Sequence, residues 1–275
     1  MKRRTILCSI DGMRPDGLQT AVTPTIDRLI REGASTMQAR TVMPSSTLPC
    51  HTSMLRGVDT SRHGITSNTF HPIVRPVPSL FEWAKSHGKT TGMFYNWEQL
   101  RDLADPGHLN YSVMTADAHS PDGDRYIAEQ TVAHLARFDF DFLFVYFGWT
   151  DECGHLHGWM SDPYIQAISD ADACLGKVLD AVQEAGRSEE TNVLVLSDHG
   201  GHGRSHGTDS PEDMTIPWVL HGPDVRPGHE ITGEVRIFDT CVTLASLMDL
   251  PLAREWEGKV VAEALTKSPA ETSRP

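Results

Sequence analysis

Val193-Leu194-Val195-Leu196 runs without a break into Ser197-Asp198-His199-Gly200. A segment apolar at every position suits a strand covered on both faces, the kind found in parallel sheets sandwiched between helices. The carboxylate and imidazole behind it then stand at a strand's carboxyl end, where open α/β sheets place their sites. A single Asp in that position is commonly only a turn or helix-cap residue. Here the pattern recurs: Thr5–Ile10 reads as a buried strand ending at Asp11, and the apolar strand Asp141–Phe147 leads after a short extension to Asp151.

The remaining chain alternates helix and strand signals. Pro24 opens a helix over 25–32 that Gly33 closes, and 79–87 reads as a helix ended by Gly88, with a strand over 90–95 behind it. An amphipathic helix is expected over 125–138, a long helix over 162–185, a strand over 215–220 and a closing helix over 239–249. Repeated strand–helix–strand units predict an α/β fold with a mostly parallel central sheet and helices on both faces. With no repeat, low-complexity tract or linker, the 275 residues are expected to form a single catalytic domain, 1–275.

Charge narrows the partners. Twenty-four basic against 37 acidic residues give a net charge of −13, which repels nucleic-acid polymers and anionic membranes but suits a protein that holds cations. The basic start Lys2-Arg3-Arg4 is followed too soon by polar Ser9 and Asp11 for a signal-peptide core, and no stretch approaches a membrane span. The five cysteines (Cys8, Cys50, Cys153, Cys174, Cys241) are odd in number and never spaced as CxxC, so neither a disulfide framework nor a zinc knuckle is expected. The expected setting is the cytoplasm and the expected partner a small molecule.

Three strand-end groups carry the chemistry. Asp11 follows the first strand. Asp151 and His155 are four apart, so one helical turn points both at one centre. Asp198 and His199 follow the apolar strand, and His202 and His206 come soon after. Carboxylates and imidazoles drawn from distant segments suit borderline cations, zinc first and manganese second. Two such ions about 4 Å apart clamp both the attacking and the leaving oxygen of a phosphoryl transfer.

A nucleophile signal lies in Ser45-Ser46-Thr47-Leu48-Pro49-Cys50-His51. Proline is tolerated in a first helical turn, so a helix running on to Leu55 places Thr47 at its N-terminus, where backbone N–H groups favour phosphate oxygens. Standing alone, such a threonine reads as a simple cap. Beside cations its hydroxyl is an activated nucleophile.

With these residues in hand, the chain resembles the alkaline phosphatase superfamily, in its type I phosphodiesterase or nucleotide pyrophosphatase branch. The motifs are Asp-Gly-Met-Arg-Pro-Asp at 11–16, Ser-Thr-Leu-Pro-Cys-His at 46–51, Arg-His-Gly-Ile at 62–65, Asp-Glu-Cys-Gly-His at 151–155 and Ser-Asp-His-Gly at 197–200. The resemblance implies an alkaline-phosphatase-like fold and two divalent ions, most often zinc. One ion would be held by Asp151, His155 and His206, the other by Asp11, Asp198 and His199, with Thr47 touching the second as nucleophile and ligand. His202 competes for the last place, but Ser205-His206-Gly207 followed by Ile216-Pro217 matches the family's closing segment better. Asn68 takes the position that donates a hydrogen bond to a phosphate oxygen, and Tyr146 is a candidate stacking surface for a nucleobase.

The implied activity is hydrolysis of a small phosphate ester through a phospho-threonine intermediate. The alternative is a phosphomonoesterase or phosphonate hydrolase of the same superfamily. Leu48 replaces the aromatic residue usual after the nucleophile, which removes one wall of a base sandwich. A sulfatase needs Cys-x-Pro-x-Arg and a haloacid-dehalogenase-like phosphotransferase needs Asp-x-Asp, whereas this chain has Thr47, His51 and Met13 at those places.

Overall fold

The structure, a computed structural model, describes residues 2–73 and 76–267; Met1, two residues at 74–75 and the last eight, which fall within the expected 1–275 domain, lie outside. Eight strands share one sheet: β1 (Arg4–Ile10), β2 (Ala34–Arg40), β3 (Thr91–Tyr95), β4 (Tyr111–Met114), β5 (Phe142–Phe147), β6 (Thr191–Leu196), β7 (Thr215–His221) and β8 (His229–Glu230). Their order is β4-β3-β5-β1-β6-β7-β2-β8. The five strands from β4 to β6 run parallel, β7 is antiparallel to both β6 and β2, and β8 is parallel to β2.

The pleat sorts the central strands onto two cores. Leu7, Phe144, Tyr146, Leu194 and Leu196 face one side, where the helices Thr47–Arg56, Leu80–Ser86 and Asp239–Leu247 pack. Ile6, Cys8, Val145, Phe147, Val193 and Val195 face the other, under the helices Pro24–Glu32, Pro121–Leu135 and Asp162–Glu184. Covering on both faces explains why β1, β5 and β6 are buried at every residue and why β5 and the Val193–Leu196 part of β6 read as continuous apolar runs.

The helix expected over 125–138 is Pro121–Leu135 instead. Proline in the first turn starts it earlier, after Ser120, and the apolar side of the pattern ends at Leu135. Strand β2, Ala-Ser-Thr-Met-Gln-Ala-Arg, has no apolar run and is held by backbone pairing to β7. Among the described residues no helix is long and apolar enough to cross a membrane. All five cysteines are free and buried.

Register brings the site together. Ile10 lies level with Phe147, and Ser9 with Leu196, so the three chains leave the sheet side by side. Asp11, Gly148 and Ser197 follow these strands on one edge.

Candidate active site

Asp11 leaves β1 with its backbone N–H bonded to Phe147 O (3.0 Å). Gly12 then turns with φ +64°, and a Cβ there would lie 2.9 Å from Asp151 Oδ1, so only glycine lets the two segments come this close. Its N–H donates to Asp198 Oδ1 (3.2 Å), while Ser197 Oγ accepts from Met13 N (2.8 Å). Asp151 and His155 lie on the helix Trp149–His157, four residues apart as the spacing predicted.

Two groups of candidate ligands result. Asp11, Asp198 and His199 form one and are buried; Asp151, His155 and His206 form the other; in each group the donor atoms lie within 4.8 Å of one another. The rings of His199 and His206 stack at 3.8 Å between centroids, joining the groups. His202, the competing candidate, points elsewhere: its Nδ1 is 2.7 Å from Asp213 Oδ1.

The hydrogen bonds prepare these side chains for cations. Each imidazole turns Nδ1 to a backbone carbonyl: His155 to Arg204 O (2.9 Å), His199 to Gly200 O (2.8 Å) and His206 to Ser45 O (2.8 Å). A carbonyl only accepts, so Nδ1 carries a hydrogen in each ring and Nε2 is the nitrogen turned towards the carboxylates, the one that would take a metal. The Nε2 atoms face carboxylates: His199 lies 3.4 Å from Asp11 and 3.3 Å from Asp198, His155 3.4 Å and His206 3.7 Å from Asp151. Asp11 Oδ1, Asp151 Oδ1 and Asp198 Oδ2 are buried with no hydrogen-bond partner. Three orphaned carboxylate oxygens beside three imidazole Nε2 atoms fit divalent cations, which would supply the missing partners.

The electrostatics agree. Burial, then Asp198 and Asp151, pushes the Asp11 carboxyl well up. Burial and then Asp151 likewise raise Asp198. Burial also pushes on Asp151, but His155 first, then His199 and His206, hold it below the usual carboxylate range. The Asp151 contact lifts His155 to about 9, and burial lowers His206 to about 4. Crowded buried carboxylates resist ionising together unless positive charge joins them.

Thr47 is the first residue of the helix Thr47–Arg56, with Ser46 in the capping position, so its hydroxyl is not the cap. Thr47 Oγ1 instead lies 3.3 Å from His199 Nε2. Asn68 Oδ1 accepts from Leu48 N (3.0 Å), leaving the amide donors free beside Thr47. Asp11, Thr47, Asn68, Trp97, Tyr146, Asp151, Glu152, His155 and His206 line one cavity of about 120 Å³.

Tyr146 differs from expectation. Its ring is 2% exposed and packs edge-on against His51, which leaves no open face for a nucleobase; its hydroxyl donates to Asp11 Oδ2. Leu48 is fully buried and forms no wall of the cavity. Half-buried Trp97 is the aromatic residue with exposed surface there, and nothing in its local sequence marks it.

Two supporting residues were also missed. His51 is buried behind Thr47, with Nδ1 donating to Thr47 O (2.8 Å) and Nε2 bonded to Ser9 Oγ (2.9 Å). Asp213, fully buried, binds His202, Thr208 N and Thr208 Oγ1, which fixes the loop carrying His206. A helix-embedded histidine and a lone Asp in a one-turn helix are common enough that only the folded contacts reveal these roles.

The profile of the type I phosphodiesterase / nucleotide pyrophosphatase family matches residues 5–87 and 91–209. Ectonucleotide pyrophosphatase/phosphodiesterase family member 1 of Rattus norvegicus is 28% identical over 218 residues, 71% of this chain and 24% of the relative. Family member 7 of Mus musculus is 24% identical over 226 residues, 72% of this chain and 50% of the relative. The chain thus spans between a quarter and a half of the length of these relatives. Human ectonucleotide pyrophosphatase / phosphodiesterase 5 shares the fold with a TM-score of 0.81 at 16% identity, over 96% of this chain and all of that one (100%). The phosphonate monoester hydrolase of Silicibacter pomeroyi does so with a TM-score of 0.77 at 14% identity, over 98% of this chain and 78% of that one.

Proposed function

The chain belongs to the type I phosphodiesterase / nucleotide pyrophosphatase family, and from that premise we propose that it hydrolyses a small phosphodiester or pyrophosphate with Thr47 as nucleophile. The observation that carries this reading is the position of Thr47 Oγ1, 3.3 Å from His199 Nε2, in a cavity that also holds Asp11 and Asp151.

Asp11, Asp198, His199 and Thr47 would hold one divalent ion, and Asp151, His155 and His206 the other, with zinc favoured by the donor set and manganese second. Bound there, the ions supply positive charge for the phosphoryl oxygens and favour the ionised threonine hydroxyl. Thr47 Oγ1 forms the new bond to phosphorus while the bond to the departing ester oxygen breaks, leaving a phospho-threonine. Water then cleaves the bond between phosphorus and Oγ1. The Asn68 amide donates to a phosphoryl oxygen, and the helix N-terminus at Thr47 favours the same negative charge.

The lining favours a diester over a monoester, because none of the described residues lining the cavity is Lys or Arg. A dianionic monoester gains from an additional fixed cation; a monoanionic diester has less need of one. At about 120 Å³ the cavity encloses the phosphoryl group and little else, so the remaining substituent extends past Trp97.

Nitrophenyl monoester, diester and phosphonate substrates assayed with zinc, manganese and magnesium test the reading. Diester turnover is expected to exceed the others by tenfold or more, on the order of the 1.4 kcal/mol separating such rates. Equal or greater monoester turnover would overturn it.

A further inference from the structure

Outside the two ligand groups lies a buried carboxylate that the proposed reaction does not use. Asp124, on the helix Pro121–Leu135, is 2% exposed, and its Oδ1 accepts from three donors: Asn96 Nδ2 (2.7 Å), Gly148 N (3.0 Å) and Trp149 N (3.3 Å). Gly148 and Trp149 begin the helix Trp149–His157, which carries Asp151 and His155. That helix has no capping side chain of its own, since Gly148 occupies the capping position. Asp124 supplies the cap from 25 residues away in sequence.

Asn96 completes the arrangement from the end of β3. It is fully buried, its Oδ1 accepts from Gly148 N (3.1 Å), and its Nδ2 also donates to Asp117 O (3.2 Å). The fit leaves no slack. A Cβ on Gly148 would lie 3.1 Å from Asn96 Oδ1, and one on Gly123 would lie 1.6 Å from Asp117 O. The first turn of the ligand-bearing helix is therefore fixed by hydrogen bonds to a neighbouring strand end and a neighbouring helix.

We propose that Asp124, oriented by Asn96, is a positioning residue for one of the two ions: it sets the helix that presents Asp151 and His155 and leaves the Asp11–Asp198–His199 group untouched. The asymmetry follows from connectivity. Asp198 and His199 follow β6 and Asp11 follows β1, and neither segment bonds to Asp124 or Asn96. Helix termini answer to their caps, and a ligand pair one turn inside the helix moves with them. Burial raises the Asp124 carboxyl to about 7, against the pull of its Asn96, Trp149 and Gly148 donors, so a carboxylic acid or an amide oxygen meets the same geometric need.

The proposal rests on the two-ion reading and is tested apart from it, by zinc affinity in competition with a chromophoric chelator. In a His199→Ala background only the Asp151–His155–His206 group remains, and adding Asp124→Ala is expected to weaken the ion 10–100-fold, the usual size of losses around a metal's ligands. In a His155→Ala background the same change is expected to leave the affinity at the other group within twofold. Asp124→Asn keeps the acceptor oxygen and is expected to restore binding to within about threefold of the parent, which a merely destabilising change would not explain. Where Asp124→Ala does not fold, Asn96→Ser is expected to show the same one-sided loss. Equal effects in both backgrounds, no effect in the first, or no rescue by Asn would overturn the proposal. Absence of any bound zinc in the parent protein would overturn the two-ion reading as well.

Discussion

Thr47 Oγ1 and His199 Nε2 meet at 3.3 Å across 152 residues of sequence. The contact joins the start of a helix on one face of the sheet to the carboxyl end of β6. It also fixes the direction of the hydroxyl, because Ser46 already occupies the capping position and Thr47 has no such duty.

Removal of divalent ions should abolish hydrolysis. The orphaned oxygens of Asp11, Asp151 and Asp198 are the reason: without cations one buried oxygen of each carboxylate has no hydrogen-bond partner. Elemental analysis of active protein should find close to two divalent ions per chain, and zinc or manganese should restore activity after chelation. Full turnover by protein verified to be metal-free would sink this prediction.

His206→Ala and His202→Ala should differ. His206 Nε2 faces Asp151, so its loss should cut turnover by two orders of magnitude or more through the second ligand group. His202 bonds Asp213, which also holds Thr208, so its loss should loosen the loop and cost roughly tenfold at most. Steady-state kinetics of the two variants decide it, and the reverse order would move the ligand to His202.

Much of this was legible because buried parallel strands write themselves as apolar runs. β1, β5 and β6 and the acids behind them were readable for that reason, as were Asp151 and His155 through their one-turn spacing. What stayed hidden depends on contacts between distant segments. The residues of β2 carry no alternation, and its place follows from pairing with β7; the antiparallel direction of β7 has no signature in its residues. Tyr146 illustrates the limit for side chains. Sequence offers an aromatic residue five before Asp151, and only the register places its hydroxyl on Asp11 and its ring in the core. Trp97 enters the cavity from a loop beyond β3 that no motif covers.

Acid should destabilise the fold through His63, in the Arg62-His63-Gly64-Ile65 motif. His63 Nδ1 accepts from Ile65 N (3.0 Å) and Nε2 is bonded to Ser53 Oγ (2.9 Å), an arrangement that requires the neutral ring. Burial first, then Arg56, lowers it from 6.5 to about 4. The unfolded chain takes up a proton below pH 6.5 while the folded chain refuses it until about 4, so stability is lost as pH falls through that window. The drop in Tm between pH 7 and pH 5 should be smaller in His63→Gln than in the parent. An equal or larger drop would remove His63 from the account.

Substitution of Thr47 separates covalent catalysis from its rivals. Thr47→Ala should lose at least a thousandfold in turnover, because the attacking oxygen is gone and water must replace it. It should still bind both ions, since all three carboxylates and all three imidazoles of the two ligand groups remain. Thr47→Ser should keep between a hundredth and a tenth of the activity: the hydroxyl survives, but loss of the methyl frees its rotamer. Stability gives the control. A capping threonine would cost about 1 kcal/mol on truncation and leave the chemistry intact, whereas Thr47 lies one residue inside the capping position that Ser46 occupies, so Thr47→Ala should melt close to the parent. Rapid mixing of the parent with a nitrophenyl diester should show a burst of nitrophenol approaching one equivalent per chain if hydrolysis of the phospho-threonine limits the rate, and none from Thr47→Ala. Turnover by Thr47→Ala within tenfold of the parent would mean that water attacks the substrate directly, and Thr47 would then be a residue that binds the ion rather than one that accepts the phosphoryl group.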